Sequence, residues 1–169
     1  MDGRDKPGHD ESINPAFRFA HTGYKIVVKA GSNEENKMSS TNIDLIKSLY
    51  AAFGRGEIET IIGALTPDVD WVVTGRREDY PVFGSWNGQS EVRRFFQGVQ
   101  EQETMDFSPR EFFAADDRVF VLGHYAWRLR KTGRTVDSDW VHIFTVHNGK
   151  VVKFREFTDT AQFAAAYRG

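Results

Sequence analysis

Asn148-Gly149 sits between two runs in which large apolar and polar side chains alternate. Trp140-Val141-His142-Ile143-Phe144 precedes it, and Val152-Lys153-Phe154-Arg155-Glu156 follows. Asn-Gly tolerates positive φ angles at low cost, so the stretch reads as a β-hairpin. A one-residue slip turns every side chain to the other face, so the apolar pattern selects the register. A three-residue loop, His147 to Gly149 with a bulge at Gly149, sets Val146 against Lys150 and Phe144 against Val152. His142 then faces Phe154 and Trp140 faces Glu156. A two-residue loop instead sets Phe144 against Lys153 and His142 against Arg155, mixing the faces. The three-residue loop is the expectation. It leaves an imidazole between two aromatic rings on an inward face, beside a strand that offers a carboxylate.

The preceding turn extends the pattern. A two-residue loop at Thr132-Gly133 pairs Lys131 with Arg134, Tyr125 with Trp140 and Gly123 with His142. Val119, Val121, Gly123, Tyr125 and Trp127 share the inner face. Gly123 then leaves a dent opposite His142, filled by core or by a ligand. His124 falls on the outer face and His147 in the turn.

Upstream of these strands the period is helical. Ile43, Ile46, Leu49, Tyr50 and Phe53 recur at helix spacing after a start like a capping box, Thr41 with Asp44. Gly54 and Gly56 end that helix. Ile58, Ile61, Ile62 and Leu65 mark a short second helix, broken at Pro67-Asp68. Asp70 to Val73 is a short strand. Ser90 can cap a third helix carrying Val92, Phe95, Phe96 and Val99. The strands from Phe107 onward turn at Asp116-Asp117, Thr132-Gly133 and Asn148-Gly149. Asp159 caps a last short helix. Three helices followed by an antiparallel meander predict an α+β fold, with the helices on one face of a curved sheet.

Residues 1–37 lack any such period. Their scattered Gly, Pro, Asp and Asn favour disorder, or an extension upstream of a true start at Met38. The opposing reading docks the YKIVV stretch as an edge strand. Residues 38–169 are then one domain.

The bulk numbers narrow the function. The absence of cysteine excludes disulfides, thiolate metal sites and cysteine nucleophiles. A net charge of −2 without long runs of one sign gives no reason to expect nucleic acid or an anionic membrane. No apolar run matches a membrane span or a secretory signal, so a cytoplasmic location is the expectation. No metal-ligand spacing and no phosphate-cradling glycine motif is present, so neither metal nor cofactor is expected.

Two candidates for chemistry remain. His142 is a possible general acid/base, or a neutral histidine that hydrogen-bonds Tyr125 or a carbonyl. Glu156 faces inward, where an unpaired carboxylate is costly; it pairs with His142, carries a proton, or lies at the wet mouth of the fold. Trp71, Trp86, Tyr125, Trp127, Trp140, Phe144 and Phe154 are candidates to hold a flat apolar ligand, with simple core packing as the alternative. Arg76, Arg77, Glu78 and Asp79 read as solvated, in a loop that could cover the mouth.

The stretches LYAAFGRGEIETIIGALTPDVDW, GSWNGQSEVRRFF and DWVHIFTVHNGKVVKFREFTDTA together resemble the SnoaL-like branch of the nuclear-transport-factor-2-like superfamily, which includes ketosteroid isomerases, limonene epoxide hydrolases and polyketide cyclases. The resemblance implies a cone: a curved, mainly antiparallel sheet wrapped around three helices, with a ligand pocket in its mouth. It also implies a homodimer through the outer sheet face. By the same alignment Val73 stands where a ketosteroid isomerase has its base, and Leu49 where it has the oxyanion tyrosine, with Tyr50 expected to turn elsewhere. His142 stands at the oxyanion aspartic acid. Authentic steroid isomerisation is therefore not expected. Nor is the Arg-Asp-Asp set of the epoxide hydrolases, since Asp139 and Arg155 are expected to face outward as a surface ion pair. What remains is a cofactor-free isomerase, cyclase or hydrolase acting on a hydrophobic molecule. The alternatives are a binding module using the same pocket, or a domain whose outer face meets a partner.

Overall fold

The computed structural model describes residues 25–28 and 32–168. The expected disorder or extension falls on residues 1–37, of which the remainder lies outside the described residues. Within them Lys25–Val28 forms β1, paired parallel to a later strand. Helix α1 runs Asn33–Gly54, starting nine residues earlier than a cap at Thr41 would place it. Its cap is Ser32, which accepts from the Glu35 amide while the Glu35 carboxylate accepts from the Ser32 amide. Thr41 lies inside the helix and donates to the Lys37 carbonyl. The spacing of Ile43, Ile46, Leu49, Tyr50 and Phe53 lays all five against the sheet as buried residues.

Helix α2 is Ile58–Gly63. Strand β2 (Leu65–Val73) absorbs the Pro67-Asp68 stretch through an irregularity between Leu65 and Asp70, so the strand is longer than read. Strand β3 is Gly84–Asn87, and α3 follows at once, Gly88–Gln100. Ser90 is not its cap. Asn87 occupies that position, and the Glu91 carboxylate accepts from the Asn87 amide.

Strands β4 (Glu103–Ala115), β5 (Arg118–Arg128), β6 (Thr135–His147) and β7 (Lys150–Thr158) form the meander, and α4 (Thr160–Arg168) closes the chain. The Asp159 carboxylate accepts from the Gln162 amide and caps α4. The seven strands lie in the order β1-β4-β5-β6-β7-β2-β3, with β1–β4 and β2–β7 parallel and the other pairs antiparallel. This is a mixed α+β sheet, not closed into a barrel. Helix α1 packs on β4 and β5, and α3 on β2.

Both hairpin registers differ from expectation. Asn148 (φ 50°) and Gly149 (φ 72°) form a two-residue turn, so His147 pairs with Lys150. A shift at Val152 then changes the register, placing Thr145 opposite Lys153, Phe144 opposite Phe154, His142 opposite Glu156 and Trp140 opposite Thr158. At the other hairpin the turn is longer. Leu129 and Gly133 hold it, with Leu129 N–H donating to Arg134 O and Gly133 N–H to Leu129 O. Tyr125 therefore meets Ser138, and Gly123 meets Trp140 rather than His142. From Thr145 back along β6, and throughout β5–β6, each register is off by two residues, which preserves the faces; beside the Asn148-Gly149 turn it is off by one, and Val151 rather than Val152 is buried. Outside, Asp139 and Arg155 do not pair: Arg155 binds Asp70, and Asp139 binds His124 at 2.9 Å.

Candidate functional site

The inner face meets α1 and α3 around a cavity. Its volume is about 100 Å³. Its walls are mostly rings. Trp71 and Phe154 stack at 3.9 Å on adjacent strands, a contact set by the direct pairing of these two residues between β2 and β7. Phe95 and Phe96 come from α3, and Phe53 comes from α1. The loop before β3 contributes Tyr80 and Phe83, which pack on Phe163 of α4 at ring distances of 4.8 and 5.3 Å. Asp79 ties that loop down, binding Arg76 beside it and Arg168 on α4.

The polar groups gather on β5, β6 and β7. His142 is 6% exposed. Its Nδ1 lies 2.8 Å from the Tyr50 hydroxyl, and its Nε2 lies 3.3 Å from Glu156 Oε2. That second contact is close, yet the ring N–H does not point along it, and Nε2 has no hydrogen-bond partner. The Glu156 side chain is 12% exposed, and its Oε1 accepts from the Tyr125 hydroxyl at 3.0 Å. Tyr125 also lies 2.7 Å from Thr158 Oγ1, which in turn lies 3.2 Å from Ser138 Oγ.

The network fixes where protons sit. Burial first, and the Glu156 charge second, push the Tyr50 hydroxyl well above its ordinary pKa, and Tyr125 is pushed up by the same two causes. Tyr50 therefore keeps its proton, and the direction of its bond with Nδ1 follows the imidazole tautomer. A proton on Nδ1 would leave the Nε2 lone pair facing a carboxylate, which electrostatics disfavours. Neutral His142 thus carries its proton on Nε2, beside Glu156.

Trp140 supports this arrangement from behind. Its indole stacks on His142 with ring centres 3.9 Å apart, and it fits because Gly123 has no side chain. Trp140 does not line the cavity. Nor does Trp86, whose Nε1 donates to the Val82 carbonyl while Arg77 lies 4.0 Å above its ring. The other nominated residues, Trp71, Tyr125, Trp127, Phe144, Phe154, His142 and Glu156, all line it. Tyr50 was expected to turn away. It turns inward, because a helix held against a concave sheet buries more than one stripe, and Leu49 and Tyr50 both reach the cavity. Tyr80 and Phe83 had no signal beyond their aromatic character. Among the described residues no group of three or more His, Cys, Asp or Glu side chains is placed to hold a metal ion, and no helix is long and apolar enough to cross a membrane.

The sequence profile of the SnoaL-like domain family matches residues 46–154. An NTF2-like protein from Burkholderia xenovorans LB400 is 32% identical. The match covers 76% of this chain and 97% of that one, with a TM-score of 0.70. TerC, whose crystal structure was determined after co-crystallisation with polyporic acid, is also 32% identical. It covers 76% of this chain and 99% of its own, with a TM-score of 0.67. An uncharacterised protein of Mycobacterium tuberculosis (strain ATCC 25618 / H37Rv) is 24% identical over 118 residues, 69% of this chain and 87% of that one.

Proposed function

The chain belongs to the SnoaL-like domain family, and on that premise we propose that its cavity binds a hydrophobic small molecule and moves a proton on it without a cofactor. The observation that carries this reading is the pairing of a buried His142 with a half-buried Glu156 at one side of a cavity otherwise walled mostly by rings. Glu156 takes a proton from an acidic C–H beside a carbonyl. His142 Nε2–H donates to the oxygen on which charge develops, while Tyr50 holds the ring. Return of the proton to another carbon gives isomerisation. Attack of the enolate on a second carbonyl gives cyclisation. The co-crystallisation of TerC with polyporic acid supports a small-molecule ligand for a protein of this kind. The competing reading is a binding module in which the same groups only orient the ligand.

Exchange of α-protons in D₂O, followed by proton NMR, separates the two. A panel of aryl ketones headed by β-tetralone should lose α-proton signal faster with the protein than in buffer alone. Ligands that bind throughout the panel without exchange above buffer favour the binding module. A panel that does not bind at all removes both readings.

The proposal includes a homodimer through the outer sheet face. Leu122, Val141 and Phe157 form one row across β5, β6 and β7, and Leu122 and Phe157 are 37% and 47% exposed. Sedimentation velocity at micromolar concentration should show twice the 19.3 kDa chain mass. A single species of chain mass throughout that range overturns the dimer.

A further inference from the structure

Resting on the reading of the cavity as a ligand site, we propose that it selects uncharged molecules that bring their own hydrogen-bond donor, phenols and enols in particular, and rejects carboxylates of the same shape. Tyr50 spends its proton on His142, and Tyr125 has one proton for Glu156 and Thr158. Glu156 Oε2 lies 3.3 Å from His142 Nε2 but off the N–H direction. His142 Nε2–H is left without a partner, and Oε2 accepts from no aligned donor, so the site presents one open donor beside one open acceptor. A ligand O–H is the group that such an oxygen lacks.

Charge points the same way. No lysine or arginine is among the described residues that line the cavity. Arg155, next to Glu156 in sequence, is turned to the other face and bound to Asp70. Arg76 is held by Asp79, and Arg77 lies over Trp86. If His142 gains a proton, it and Glu156 cancel. With Glu156 ionised, the cavity carries no net positive charge in any state of His142. An anion brought between these rings loses its water and meets no compensating cation.

Isothermal titration of the full chain with β-naphthol and β-naphthoate at neutral pH tests this, because the two share a ring system and differ in charge. The naphthol should bind at least about tenfold more tightly, and Glu156→Gln should narrow the ratio to within about threefold while naphthol still binds. Naphthoate binding as tightly as naphthol to the wild type overturns the charge rule and leaves the cavity as a ligand site. Binding of neither overturns the reading of the cavity itself. A wild-type preference that survives unchanged in Glu156→Gln overturns the role given to that carboxylate.

Discussion

Gly123→Ala is expected to destabilise the fold by about 3 kcal/mol, near the upper end for added atoms in a packed interior. A Cβ at that position would lie 2.1 Å from Trp140 Cζ2 and 2.4 Å from Cη2. No real Cβ tolerates such a contact, so the indole or the strand must move. The indole has little freedom. It stacks on His142 at 3.9 Å and on Phe107 at 5.5 Å, and it is 2% exposed. Calorimetry should show a fall in Tm of about 6–12 °C for a chain of this size. Gly63→Ala is the control, since its added Cβ meets nothing within 4 Å. Gly123→Ala combined with Trp140→Phe should recover part of the loss, with a coupling of about 1 kcal/mol or more. A Tm for Gly123→Ala within about one degree of wild type would show that the indole is not held as described. The change also reaches the site: what displaces Trp140 displaces the ring stacked on it, so naphthol binding should weaken in the same variant.

The same glycine shows how far the sequence could be read. Gly123, Tyr125, Trp140, His142 and Glu156 were all assignable to the inner face, because a strand alternates sides and two-residue errors do not change side. The partners across the sheet were not assignable. The longer turn at Leu129–Arg134 owes its shape to contacts distant in sequence: Leu129 is fully buried, Thr132 donates to the Ala166 carbonyl, and Arg134 to that of Ala165. No local rule anticipates a turn docked on the last helix. The shift at Val152 has the same character, since it reconciles a tight Asn-Gly turn with apolar partners further along. These two shifts move Trp140 into the space left by Gly123 and bring His142 face to face with Glu156. Trp86 and Trp140 could not be told from cavity-lining rings, because alternation gives a side and not a depth. The early start of α1 was missed for another reason. Ser32 and Glu35 make a capping box, but they lie in a polar stretch whose composition hid it.

Glu156→Gln is expected to lower any proton exchange the cavity performs by about 10²–10⁴-fold while ligand affinity changes far less. Glutamine keeps the shape and still accepts from Tyr125 at the Oε1 position, but its amide cannot take a proton from carbon. The loss should therefore appear in kcat rather than KM, as expected for a group that acts only in the transition state. His142→Gln should fall less, because it removes a donor to the developing oxyanion and not the base. Tyr50→Phe distinguishes a positioning role from mere packing. It leaves Nδ1 without its donor and frees the proton to move from Nε2 to Nδ1, which the ¹⁵N shifts of the imidazole report without any turnover. Phenylalanine keeps the ring contacts of Tyr50 with Phe112 and Phe144, so a tautomer change would come from the lost hydroxyl. Exchange that persists in Glu156→Gln but vanishes in His142→Gln would reverse the roles, making Nε2 the base and requiring the proton to sit on Nδ1. The Glu156 contact argues against that order, since a proton on Nδ1 would leave the Nε2 lone pair facing the carboxylate at 3.3 Å.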